Sequence, residues 1–198
     1  MFNKNSNYDS IAAIIPSYTT TGDTTTIITT NGSKHVNNTR IRTVLKRLAH
    51  SRSTDLTALK RKATCATGHT SLQPLVLAPG LVLCPLKVRT PLVPGDTSIG
   101  YINFHAVISV TANHSKPYQS TITLTGGTVL PVLWTPDTVK QHLKDARLAM
   151  SYTAPDAAMR PELTMIAQKQ VEVMYDLLVF QAQLLRSAPS QDIMTILP

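Results

Sequence analysis

Aromatic residues are scarce in this chain. They make up 5% of its 198 residues, with a single tryptophan. Binding by stacking bases on exposed rings therefore has little material to work with. Cysteine is scarcer: Cys65 and Cys84 are too few for a disulfide framework and read as small buried hydrophobes. Long apolar runs are missing, since no stretch approaches the roughly 20 residues of a membrane-spanning helix. The N-terminal MFNKNSNYDSIAAIIPSY, with one lysine and a short apolar piece at residues 11–15, lacks the form of a secretory signal. The expectation is a cytoplasmic protein with no membrane partner. Motifs of catalysis are absent as well. The chain has no GxSxG, no glycine-rich phosphate loop and no HExxH. Asp23, Asp55 and Asp96 stand alone in sequence. Cys65 and His69 have a spacing that suits two metal ligands, but no second pair follows. No enzyme, metal or cofactor is expected.

Acids are also few, and this absence is the informative one. The chain has 11 Asp and Glu against 19 Lys and Arg, a net charge of +8. The excess is concentrated: residues 34–62 hold nine of the 19 basic residues (Lys34, Arg40, Arg42, Lys46, Arg47, Arg52, Lys60, Arg61 and Lys62) and one acid, Asp55. Residues 133–198, by contrast, carry six basic residues and seven acids. A localised excess fits a binding face better than general solubility, and the partner it selects is an anion. With 42% apolar residues and 15% charged, the remainder has enough material for a core to hold that face.

Hydrophobic periodicity predicts an α+β chain. The piece at residues 11–15 reads as a strand stopped by Pro16. The β-branched run at 24–30 reads as its hairpin partner across Gly22–Asp23. Ile41, Val44, Leu45 and Leu48 then recur at helical spacing. Asn38 or Thr39 is placed to cap that helix, and Ser53 or Thr54 to cap a second one carrying Leu56 and Leu59. Apolar runs at 75–77 and 81–84 flank the turn Ala78-Pro79-Gly80, and Pro85, Pro91 and Pro94 punctuate a loop bearing Lys87 and Arg89. Residues 99–110 read as one long strand, with Tyr101, Asn103, His105 and Val107 on one face and Ile102, Phe104, Ala106 and Ile108 on the other. A hairpin turns at Gly126–Gly127. A helix from Pro136–Asp137 to Met150 buries Val139, Leu143, Ala146 and Met150. After a proline-containing link, a wide apolar arc predicts a helix over 161–186 that packs or pairs subunits, followed by an apolar tail at 193–197. The expected fold is thus an antiparallel β-rich body with two short basic helices inserted near the N-terminal third and a helical C-terminal third. The expected division is a DNA-binding domain at residues 1–150 and a packing or oligomerisation segment at 151–198.

The order of these pieces resembles the ComK family, competence transcription factors of Gram-positive bacteria. The likeness is carried by Pro74 and its strand, the Ala78-Pro79-Gly80 turn, the run ending in Cys84-Pro85, and Ile99-Gly100-Tyr101-Ile102-Asn103-Phe104-His105. It continues through the Gly126–Gly127 hairpin with Pro131 and the helix from Asp137. Leu59-Lys60-Arg61-Lys62-Ala63-Thr64 falls where the family carries a Gly-Arg-x-x-Gly-Thr element, with Leu59 and Ala63 in place of its glycines and Tyr101 in place of a family tryptophan. The resemblance covers about half the chain, from Arg40 to Met150. It implies a transcriptional activator of DNA-uptake genes that binds A/T-rich double-stranded DNA boxes, largely through the minor groove, as a nucleoid-associated homo-oligomer controlled by a proteolytic adaptor.

Cations neutralise phosphates and release counterions whatever the base sequence, so the residues expected to contact DNA are Arg40, Arg42, Lys46, Arg47, Arg52, Lys60, Arg61 and Lys62, with Lys87 and Arg89 contributing from the loop. The alternative is a non-enzymatic interaction module whose basic segment docks an acidic protein.

Overall fold

Alternating apolar and branched residues build six strands into one antiparallel sheet. The computed structural model describes residues 10–20 and 22–153. The strands are β1 (Ile11–Thr19), β2 (Gly22–Thr29), β3 (Lys34–Asn37), β4 (Leu75–Ala78), β5 (Leu81–Lys87) and β6 (Ile99–Asn103), in the order β3-β2-β1-β6-β5-β4. A second antiparallel sheet contains β7 (Val107–Ala112), β8 (Ser120–Leu124) and β9 (Val129–Val132) in sequence order. Three helices complete the described chain: α1 (Ile41–Ser51), α2 (Leu56–Thr67) and α3 (Pro136–Thr153). The protein is a mixed α+β chain with antiparallel sheets, as its periodicity indicates.

The two-residue period of the strands divides the core in two. Ile14, Ile27, Leu75, Leu81 and Leu83 pack with Ile41, Val44, Leu45 and Leu48 of α1 and with Leu59 of α2. On the opposite face, Ile28, Val82, Cys84, Leu86 and Ile102 pack with Ile122, Leu124 and Val132 of the small sheet and with Val139 and Ala146 of α3. The six-stranded sheet is thus buried on both sides, with the basic helices on one side only.

Several local expectations are corrected. Pro16 does not stop β1, because it lies past the last β1–β6 pair, Ile14 opposite Tyr101, where no ladder N–H is needed on that side. Pro85 likewise stays within β5, beyond the Leu75–Leu83 end of the β4 pairing. The predicted long strand at 99–110 is two strands in two sheets. A 3-10 turn at Phe104–Ala106 breaks it, and Asn103 caps that turn by accepting from the His105 N–H at 3.2 Å. Neither predicted cap of α1 serves: its N-cap is Arg40, which makes no side-chain cap bond, while the Thr39 hydroxyl donates to Asn37 Oδ1 at 2.9 Å. Asp55, rather than Ser53 or Thr54, caps α2.

The β2–β3 and β8–β9 turns meet backbone to backbone. Gly126, at φ 78°, lies so close that a Cβ there would sit 2.5 Å from the Gly32 nitrogen. This approach ties the small sheet to the hairpin end of the large one. By its contacts the chain divides into units Met1–Ala154 and Pro155–Pro198. The second unit, with the helix predicted at 161–186 and the apolar tail, lies outside the described residues. Among the described residues no helix is long and apolar enough to cross a membrane.

Candidate anion-binding face

Helix α1 buries Ile41, Val44, Leu45, Leu48 and Ala49, which leaves Arg42, Lys46, Arg47 and His50 exposed on the remaining arc. Helix α2 buries Leu59 and Ala63, and Lys60, Arg61 and Lys62 are exposed between them. The only acid of this stretch is engaged elsewhere. The Asp55 carboxylate accepts from the N–H groups of Thr57 at 2.8 Å and Ala58 at 3.3 Å, satisfying two of the donors that a helix start leaves open. Six exposed cations, Arg42, Lys46, Arg47, Lys60, Arg61 and Lys62, therefore share one helical pair whose sole carboxylate is a cap.

Three of the six converge. Arg42, Lys46 and Lys60 line a groove of about 460 Å³ between α1, α2 and the sheet. Its walls are Ile41, Leu45, Leu56, Leu72, Leu75 and Ile99, its neutral polar groups come from Gln73, Thr97 and Tyr101, and no carboxylate lines it. Burial raises the Tyr101 phenol pKa above its ordinary value, and the charge of Arg42 partly offsets that rise. The phenol is therefore a neutral hydroxyl at neutral pH, able to donate and accept.

The other expected contacts are placed differently. Arg47, Arg61 and Lys62 are exposed but do not line the groove. Arg52 ends α1, and its backbone N–H closes the helix on Ala49. Lys87 stands opposite Ile99 in the β5–β6 register without entering the groove. Arg40 is exposed and reaches Asp23 at 4.0 Å and Asp96 at 3.9 Å. Arg89 is only 11% exposed and is committed internally: it pairs with Asp23, donates to the Thr97 carbonyl at 2.9 Å, and lies over the Tyr18 ring at 4.0 Å. The Tyr18 hydroxyl in turn donates to Asp96 at 2.9 Å. Asp23 and Asp96, 73 residues apart and isolated in sequence, thus belong to one network that fixes the loop after β5 to the β1–β2 hairpin. Arg89 thus holds the loop through Nε and Nη2, and its remaining Nη1 is buried without a hydrogen-bond partner.

A second, smaller cleft of about 230 Å³ gathers His69, Ser71, Gln141, His142 and Asp145 where the end of α2 faces α3. His142 stacks on Trp134 with ring centroids 4.7 Å apart. Burial lowers its pKa, Asp145 opposes that shift, and His69 adds to it. Among the described residues no three His, Cys, Asp or Glu side chains form a group able to hold a metal ion. Cys84 is buried as expected of a small hydrophobe, whereas Cys65, expected to be buried as well, is exposed.

The residues that sequence reasoning missed are Gln73, Thr97 and Tyr101. Strand alternation places Tyr101 beside Ile99, but nothing in the sequence says that this face meets α1. Comparison with known proteins returned no matching family model, no matching curated sequence and no matching solved structure.

Proposed function

We propose that the protein binds double-stranded DNA through the α1–α2 face and acts as a transcriptional activator of the kind that the ComK resemblance implies. One observation carries the binding claim: six exposed cations on two successive helices, against one carboxylate of that segment, Asp55, held in a helix cap. A patch with six cations to one carboxylate attracts polyanions and exchanges its bound counterions for phosphates. Preference for A/T-rich boxes follows from the resemblance and from physics: a narrow A-tract minor groove concentrates negative potential and draws in arginine. Arg42 is the exposed α1 arginine assigned to supply it, and Arg47 is assigned to a phosphate. Pairing through residues 151–198, and a proteolytic adaptor, complete the proposal at the level of the whole chain.

Gel shifts on A/T-rich and G/C-rich duplexes of equal length test this reading. Binding to both, tighter on A/T, is expected. No binding to either at low salt would end it, and would leave an acidic protein as the partner of the same face. Arg47→Glu is expected to weaken both complexes alike, because a phosphate contact carries no sequence information.

A further inference from the structure

The groove beneath Arg42, Lys46 and Lys60 has a shape and lining that a phosphate-binding surface alone does not require. Here three cations surround a concavity of about 460 Å³ lined by both apolar and neutral polar residues, a size within the range of small-molecule sites. We propose that this groove is a binding pocket for a single nucleotide, a phosphate monoester on a flat, partly apolar body.

The lining discriminates among anions. Three cations without a carboxylate match a dianionic phosphate better than a monoanionic carboxylate, since each unmatched charge is left repelling its neighbours. Inorganic phosphate alone would leave the partly exposed Leu56 and Ile99 of the lining uncovered. An alkyl acid would press its chain on the Gln73, Thr97 and Tyr101 polar groups, which burial without partners disfavours. A base has a flat apolar face for the leucine and isoleucine walls and edge donors and acceptors for those three polar side chains. Tyr101, a neutral phenol, supplies both a ring and a hydroxyl.

A second observation marks the rim. Leu72 holds φ 55°, a left-handed conformation rarely taken by a residue with a branched side chain, and it is 37% exposed. Leu72 lines both the groove and the neighbouring cleft. Such outliers concentrate at ligand clamps. Leu72 thus lines the same groove as the partly exposed Leu56 and Ile99.

The pocket shares its three cations with the proposed DNA face, and it rests on that reading only for where the nucleotide comes from: a free mononucleotide or an unpaired nucleotide of a strand. Calorimetric titration of the full chain with adenosine 5′-monophosphate, adenosine and inorganic phosphate is the test. The monophosphate is expected to bind at least about tenfold more tightly than either part, the scale of one charge-assisted hydrogen bond. Lys60→Gln, in the groove, is expected to weaken it about tenfold. Arg61→Gln, on the face but outside the groove, is expected to change it less than about twofold, while both variants weaken duplex binding. Equal losses in the two variants would overturn the pocket in favour of diffuse attraction. Duplex binding without monophosphate binding would overturn the pocket and leave the DNA reading standing; the reverse result would overturn the DNA reading alone. If the nucleotide is strand-borne, saturating monophosphate displaces a duplex with a 5′-phosphorylated unpaired adenine more readily than a blunt one. Equal behaviour of the two assigns the site to the free nucleotide.

Discussion

Asn103 shows how one side chain fixes the path of the backbone. It is 4% exposed, and its amide makes four bonds: it accepts from the N–H groups of Val82 and His105, each at 3.2 Å, and donates to the carbonyls of Ile11 at 2.9 Å and Gly80 at 3.0 Å. Strand β1, the β4–β5 turn and the passage from one sheet to the other all meet on it. Asn103→Ala leaves several buried polar groups unmatched and is expected to destabilise the fold by about 3 kcal/mol or more; chemical denaturation measures it. The Arg89–Asp23 pair is comparable. Both side chains are about nine-tenths buried, at 11% and 6% exposure, so Arg89→Ala strands a buried carboxylate with only exposed Arg40 beside it. A loss of about 3 kcal/mol is expected, with duplex affinity of the folded variant nearly unchanged. His142 gives the residue-scale pH dependence. Its pKa is lowered on folding, chiefly by burial, so the unfolded chain takes up its proton first. Stability from this group is present above its ordinary value of 6.5 and is lost as pH falls below it toward the folded value. Thermal melts should show Tm falling across that window, with a weaker fall in His142→Phe.

At the scale of elements, the meeting of two turns is the most exposed to test. Gly126 approaches Gly32, Thr30 and Asn31 so closely that a methyl group would lie 2.5–2.7 Å from their backbone atoms, and it also holds a positive φ. Gly126→Ala is expected to cost more than the roughly 1 kcal/mol of an ordinary glycine turn substitution. Gly127→Ala, with open space around it, should cost about that much; paired denaturation curves decide. Much of this level was legible in the sequence. The stripe at Ile41, Val44, Leu45 and Leu48 located α1 because burial there follows helical period. The β1–β2, β4–β5 and β8–β9 hairpins were legible from their turn residues. The break after Asn103 was not, because 99–110 alternate as well as a single strand does. What interrupts it is a set of long-range bonds to Ile11, Val82 and Gly80. The cap of α2 was misplaced by one or two residues for a related reason: Ser53, Thr54 and Asp55 are all capable acceptors, and only the backbone path chooses among them.

Over the whole molecule, charge is the property that survives from sequence to structure with least loss. The basic segment folds onto one side of the sheet because its apolar residues belong to the core there, so its cations share that side. Sequence order did not separate the roles within it. Arg42, Lys46 and Lys60 are gathered into the groove, and Arg89, which reads as a loop cation, is held by Asp23. Proximity of Asp23 to residues 66 positions away in the chain is set by β1 and β2 lying against the loop after β5. The central claim is that the α1–α2 face engages the phosphates of a duplex. Its most direct measurement is the salt dependence of binding to one A/T-rich duplex, plotted as log affinity against log salt concentration. Six phosphate contacts give a slope of about −5, and neutralising Arg47 reduces its magnitude by about 1. A slope near zero, or one that Arg47→Gln leaves unaltered, would contradict the assignment of this face.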